Sequence, residues 1–235
     1  MNFIKAETNG NDFVIIHGIP DSLSEDKKRA LADRKFGIGC DQLVFVKGTD
    51  ATGEYSIDFF NQDGSYASMC GNGACAAAKY ITRKFSNVPR RLALCIGDTK
   101  YDAVLGDNGS VSVSFPKPYY DGEVILTGNR HLVFSMKEVE QAAALAQQHP
   151  DCNLHFISQV TSDTIKVKTF KRGVGWTLAC GSGAIAVGFH SGLHSKIHVI
   201  HDGGPSTVEV TQTCAILTTT PRLVFNGILC EPNKV

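Results

Sequence analysis

The feature that most constrains this chain is a short phrase used twice. Cys70-Gly71-Asn72-Gly73-Ala74-Cys75-Ala76 is matched by Cys180-Gly181-Ser182-Gly183-Ala184-Ile185-Ala186. Each copy opens a run of small and apolar residues, 76–81 and 184–189, the composition of a helix packed tightly on its neighbours. An internal repeat implies two similar units. Each unit is expected to hold one buried helix with a cysteine at its N-terminus.

Around the two helices the chain is rich in short apolar runs that read as strands, at 13–16, 43–46, 111–115, 165–170, 197–200, 208–210 and 223–225. Amphipathic helices are expected over 25–34, with Ser22 and Glu25 spaced as a capping box, and over 136–148. The fold class is therefore α+β. The turn Phe115-Pro116-Lys117-Pro118-Tyr119 is the candidate crossing between halves. It divides the chain into an N-terminal domain, 1–116, carrying the Cys70 helix, and a C-terminal domain, 117–222, carrying the Cys180 helix.

Composition narrows the function. The 23 basic residues balance 23 acidic ones with no long run of either sign, so neither nucleic acid nor an anionic membrane is an expected partner. No stretch approaches the roughly 18 apolar residues of a membrane span, and the first residues lack the pattern of a signal peptide. A cytoplasmic enzyme acting on a small molecule is the expectation. Eight cysteines are then expected to be reduced thiols, most of them buried as small apolar side chains. No Cys-x-x-Cys pair occurs, and no metal site is expected.

Two cysteines at helix N-termini carry a specific chemical implication. The first turn of a helix has unpaired N–H groups and a partial positive charge, which lower the pKa of a thiol placed there. Two such ends facing each other could hold one carboxylate between their N–H groups. The two sulfurs would then stand on opposite faces of the adjoining carbon. A thiolate taking the α-proton from one face and a thiol returning one from the other would invert that carbon, with no cofactor needed. A single Cys-Gly-x-Gly would read more simply as a buried cysteine at a tight turn, but an unrelated thiol has no reason to recur in the same glycine frame. Neither glycine pattern continues into a dinucleotide-binding fingerprint.

Further motifs converge on a known family. Gly10-Asn11-Asp12-Phe13, Ala32-Asp33-Arg34, Gly37-Ile38-Gly39-Cys40-Asp41-Gln42, Phe60-Asn61-Gln62-Asp63-Gly64-Ser65 and Arg172-Gly173-Val174-Gly175, with the two cysteine phrases, resemble diaminopimelate epimerase over most of the chain. The resemblance implies two domains, each a β-rich half-barrel around a central helix, with the last strand, about 223–235, returning to the first domain. It implies Cys70 and Cys180 as the catalytic thiols, and Gly71, Asn72, Gly181 and Ser182 as donors of backbone N–H groups to the reacting carboxylate. Asn11, Gln42, Asn61, Asn129, Asn153 and Arg172 fall at substrate-contacting positions, where the planar fork of Arg172 suits a distal carboxylate. His131 falls where the family has a histidine that tunes the thiols, although Arg130 replaces the usual proline before it. His155, His190, His194, His198 and His201 match nothing in the family pattern and read as surface or packing residues.

Two departures bear on substrate. Where the family reads Glu-Arg-Gly-Ala-Gly-Glu-Thr, this chain reads Lys171-Arg172-Gly173-Val174-Gly175-Trp176-Thr177. Lys171 either places an ammonium beside the thiols, lowering their pKa and welcoming a carboxylate, or extends to solvent while Trp176 fills the space. The connections around 116–135 and near Gln148 are also compact. The leading reading is conversion of LL- to meso-diaminopimelate, for lysine and peptidoglycan precursor synthesis. A racemase of another amino acid such as glutamate or histidine is the alternative, and a non-catalytic amino-acid-binding protein the remote one. The sequence leaves monomer and homodimer open.

Overall fold

The computed structural model describes residues 1–48, 53–193 and 196–230. The first half of the chain forms β1 (Asn2–Thr8), β2 (Asn11–His17), α1 (Glu25–Ala32), β3 (Gln42–Gly48), β4 (Glu54–Asn61), β5 (Tyr66–Ala67), α2 (Gly71–Lys84), β6 (Arg91–Ile96), β7 (Thr99–Leu105), β8 (Val111–Pro116) and β9 (Tyr119–Asp121). The second forms β10 (Val124–Leu126), β11 (Arg130–Ser135), a 3-10 turn (Met136–Gln141) running into α3 (Ala142–Gln148), β12 (Asn153–Thr161), β13 (Thr164–Lys171), β14 (Gly175–Thr177), α4 (Gly181–His190), β15 (Ile197–His201), β16 (Gly204–Val210), β17 (Cys214–Thr219) and β18 (Arg222–Ile228).

The pairings of the two halves run in parallel. β1 lies antiparallel to β2, β2 parallel to β3, β3 antiparallel to β4, β4 parallel to β6, and β6, β7 and β8 follow antiparallel. The same order of directions recurs through β10, β11, β12, β13, β15, β16 and β17. β8 joins β17 antiparallel, so one curled mixed sheet of 18 strands runs through the described residues. β9 and β10 form a hairpin, and the last strand, β18, returns to pair with β1. This is an α+β fold of two curled sheet halves, with α2 and α4 as their central helices.

The helices sit where their sequences direct them. Ala74, Ala76, Ala77, Ala78 and Ile81 of α2, and Ala184, Ile185, Ala186 and Val187 of α4, are at most 1% exposed. Small side chains let the helices approach the sheet closely, and α2 packs on β1, β2 and β8 while α4 packs on β16, β17 and β11. A single core cluster includes residues of both helices. Smaller clusters lie under α1 and α3. Among the described residues no helix is long and apolar enough to cross a membrane.

Several local expectations differ. Ser24, not Ser22, caps α1 by accepting from Lys27 N, while Ser22 closes a 3-10 turn by donating to Ile19 O. α1 ends at Ala32, which frees Arg34 to reach two carboxylates. The segment expected as one helix over 136–148 begins as a 3-10 turn, with a capping box at Ser135 and Glu138. All eight cysteines are free, but only Cys40, Cys75, Cys152 and Cys180 are buried. Cys95 and Cys214 are half-buried on strands, and Cys230 is exposed.

Candidate active site

Each of the paired helices starts from its cysteine in the same way. Cys70 and Cys180 are N-caps in extended conformation, with φ, ψ of −141°, 111° and −144°, 111°. Cys70 Sγ accepts from Gly73 N at 3.3 Å and Cys180 Sγ from Gly183 N at 3.4 Å. A sulfur thus takes the capping role usually filled by a side-chain oxygen. The two helix ends meet. A Cβ on Gly181 would fall 2.8 Å from Asn72 N, and one on Gly71 would fall 3.3 Å from Ser182 N. Glycine at both positions is what permits that approach.

Both cysteines open onto one cleft of about 750 Å³ lined by residues of the two halves. The rims come from strand ends in register. In the first half, the tight Asn9-Gly10 turn, with φ of 54° and 80°, delivers Asn11 at the start of β2, and β3 and β4 bring Gln42 opposite Asn61. In the second half, β11 and β12 bring His131 beside Asn153, and Lys171 ends the neighbouring β13. Asn11, Gln42, Asn61, Asn129, Asn153, Lys171, Arg172, Gly71, Gly181 and Ser182 all line the cleft. Two expected site residues do not. Asn72 is buried between the helices, its amide atoms without a hydrogen bond among the described residues, and His131 lies behind the wall, 0% exposed.

A charged network fixes the first rim. Asp12 receives both guanidinium nitrogens of Arg34, at 3.0 and 2.7 Å, and the Lys5 ammonium at 2.5 Å. Burial pushes this carboxyl up, but Arg34 and Lys5 outweigh it and hold the pKa at about 2. Arg34 also binds Asp41, which accepts from Asn11 Nδ2 at 2.8 Å. That bond turns Asn11 Oδ1 toward Cys70 Sγ, 3.9 Å away. On the other rim, Asn153 Oδ1 accepts from Arg172 N at 3.2 Å and so anchors the backbone that carries the exposed Arg172.

The electrostatics correct one expectation. Burial pushes the Cys70 thiol up to about 11, although Lys171 and the Gly73 N–H pull it down. In the cleft as it stands, the loss of water outweighs the helix terminus. The Lys171 side chain lines the cleft, and its charge acts on Cys70, His131, His155 and His201. Trp176 is 51% exposed and packs edge-on to Phe170.

His155, read from the sequence as a surface or packing residue, is buried. It is 0% exposed, and its Nε2 lies 2.8 Å from Nδ1 of His131. A ring nitrogen of each histidine and Cys180 Sγ lie within 4.8 Å of one another, a set that could hold a metal ion. His131 Nε2 has no hydrogen-bond partner among the described residues. Of the other histidines, His201 is buried, His190 shares a hydrogen bond with Tyr120 Oη, His198 is exposed, and His194 lies outside the described residues.

Residues 3–96 match the sequence model of the family described as diaminopimelate epimerase. The diaminopimelate epimerase of Bacteroides thetaiotaomicron is 32% identical, the alignment covering 97% of each chain. The diaminopimelate epimerase of Vesicomyosocius okutanii is 30% identical over 97% of this chain and 98% of its own. The chain belongs to the diaminopimelate epimerase family. It is accordingly an isomerase, an amino-acid epimerase. A solved structure named "Predicted Epimerase" from Pseudomonas aeruginosa shares the fold, with a TM-score of 0.75 at 10% identity over 98% of this chain and 99% of its own.

Proposed function

We propose that the enzyme inverts an amino-acid α-carbon with Cys70 and Cys180 as its two acid/base groups and no cofactor, and that its substrate is LL-diaminopimelate, converted to the meso form. The observation that carries this reading is the pairing of two thiol-capped helix ends on one cleft. The α-carboxylate would lie against the first-turn N–H groups at Gly71, Asn72, Gly181 and Ser182, which have no partner within their helices. As the α-proton leaves to one thiolate, charge builds on that carboxylate, and fixed N–H donors stabilise it. The other thiol delivers its proton from the opposite face. We assign residues 1–116 with the final strand to one domain and 117–222 to the other, so that each contributes one thiol.

Asn11, Gln42, Asn61, Asn129, Asn153 and Arg172 would bind the rest of the substrate, with Arg172 on the distal carboxylate. His131 and Lys171 would set the protonation of the thiols. Lys171 beside Arg172 supports a second reading, a racemase for a smaller acidic amino acid such as glutamate, because two adjoining cations favour a carboxylate over an ammonium.

The test is α-proton exchange in D₂O, followed by proton NMR with LL- and meso-diaminopimelate, L-glutamate and L-histidine and no added cofactor. Exchange with diaminopimelate supports the first reading, and exchange with glutamate alone the second. Exchange with none of them overturns both.

A further inference from the structure

Asn11 stands between two unlike neighbours. It is 5% exposed, its Nδ2 donates to Asp41 Oδ2 at 2.8 Å, and its Oδ1 accepts from Cys70 Sγ at 3.9 Å. Asp41 Oδ2 also accepts from Asp12 N at 3.2 Å, and Asp41 Oδ1 accepts from Arg34 Nη2 at 2.7 Å. Asp41 N in turn donates to Asp12 Oδ1 at 3.0 Å. The Asp41 carboxylate is thus held from several sides, by backbone as well as by side chains.

These contacts fix the polarity of the Asn11 amide. An ionised carboxylate only accepts, so the end of Asn11 that meets Asp41 has to be its NH₂ group. A flipped amide would set its oxygen against the carboxylate with no proton between them. The amide oxygen is thereby presented to Cys70. It can receive a thiol proton, but it has nothing to give a thiolate and opposes its charge. Cys180 has a different neighbour, since its Sγ lies 3.6 Å from Ser182 Oγ, a hydroxyl able to donate to a thiolate or to accept from a thiol. Of the charged and titratable groups that act on Cys70, Lys171 favours the thiolate, whereas Cys180 and Asp41 oppose it.

We propose that Asp41 is a positioning residue that holds the Asn11 amide with its oxygen on Cys70, so that Cys70 rests as the thiol and Cys180 supplies the resting thiolate. In the direction that starts from this state, Cys180 takes the α-proton and Cys70 delivers its own. The inversion leaves Cys180 protonated and Cys70 bare, and the Asn11 oxygen then favours the return of a proton to Cys70. The opposite direction needs Cys70 as the thiolate, and there the Lys171 cation works against the Asn11 oxygen. The role given to Asp41 rests on the two-thiol reading for its purpose.

The test is iodoacetamide labelling of Cys70 and Cys180 in the full chain, followed against pH by peptide mass spectrometry. Cys180 should label with the lower midpoint. Asp41→Asn frees the amide to turn, so the Cys70 midpoint should fall by about one pH unit, the size of one hydrogen bond, with no fall for Cys180. Because the Asp41 charge also raises Cys70 directly, the substitution is repeated in an Asn11→Ala background, where the shift should vanish. Asn11→Ala alone removes the oxygen and leaves the Asp41 carboxylate in place, and it should itself lower the Cys70 midpoint, which tests the proposal even if Asp41→Asn does not fold. The same Asp41→Asn shift in both backgrounds would show charge acting alone and overturn the proposal. So would an unmoved Cys70 midpoint in Asn11→Ala, equal shifts of both cysteines, or a lower midpoint for Cys70 than for Cys180 in the unmodified chain. None of these readouts requires turnover, so failure here is distinct from failure of the exchange test.

Discussion

Asn72 and Gly181 touch across the pair of central helices, with so little space that a Cβ on Gly181 would lie 2.7 Å from Asn72 Oδ1 and 2.8 Å from Asn72 N. On the proposed mechanism, the two helix ends would work as one anion-binding surface only while position 181 lacks a side chain. Gly181→Ala should push the ends apart, lowering kcat/KM by on the order of 10²-fold for a displacement near 1 Å. The accompanying loss of stability should be about 1–3 kcal/mol, as for other overpacked sites. Steady-state kinetics and thermal melts of the same variant measure both. Full activity in a folded Gly181→Ala protein would contradict the shared surface.

Cys70→Ser and Cys180→Ser should each reduce inversion by at least about 10³-fold, since a hydroxyl is a far weaker base at neutral pH and general-base catalysis contributes roughly 10²–10⁴. The hydroxyl can accept the same capping bond from Gly73 or Gly183, so melting temperatures should hardly change. Full activity in both single variants would refute the two-thiol mechanism.

Lys171 lowers the pKa of Cys70 against the opposing effect of burial. Lys171→Gln removes that help, so the acid limb of the kcat/KM profile should move to higher pH and the rate at pH 7 should fall. If Lys171 also selects an acidic substrate, KM for glutamate should rise more than KM for diaminopimelate. A profile that does not move would show that Lys171 acts on neither thiol.

Acid should destabilise the protein in two windows. His131, at about 3, His201, at about 4, and His155 are held below 6.5 by burial first and then by neighbouring charge. The unfolded chain therefore binds their protons first, and their stabilising contribution is full above pH 6.5 and lost as pH falls toward 4 and 3. Three such groups allow a slope of up to about 4 kcal/mol per pH unit. Asp12, with a pKa of about 2, loses its contribution of about 2 kcal/mol lower, between pH 3.8 and 2. Asp12→Asn should thus melt lower at pH 7 yet match the parent near pH 2. Melting temperatures measured from pH 8 to 2 test both windows.

The doubled Cys-Gly-x-Gly-Ala phrase disclosed both central helices and their N-caps, because small residues and a capping side chain are local properties. The alternation of Tyr55, Ile57 and Phe59, and of Leu92, Leu94 and Ile96, would have disclosed β4 and β6 as well. Ser24 shows the limit of such local reading. Two serines stood within reach of the helix start, and Pro20 settled the choice by drawing Ser22 into its own 3-10 turn.

What the sequence determined by itself was the repeated unit, the α+β class, the two thiols and the polar residues at the strand ends that share their cleft. Tertiary structure alone decided how those pieces act on one another. The pairing of β18 with β1 joins strands from opposite ends of the chain. The raised pKa of Cys70 comes from water excluded by residues far away in the chain, which outweighs the helix terminus that the motif supplies. The file from Thr169 through His155 to His131 exists only because three strands lie in register. Desolvation and register are sums over distant neighbours, and no local spacing encodes them.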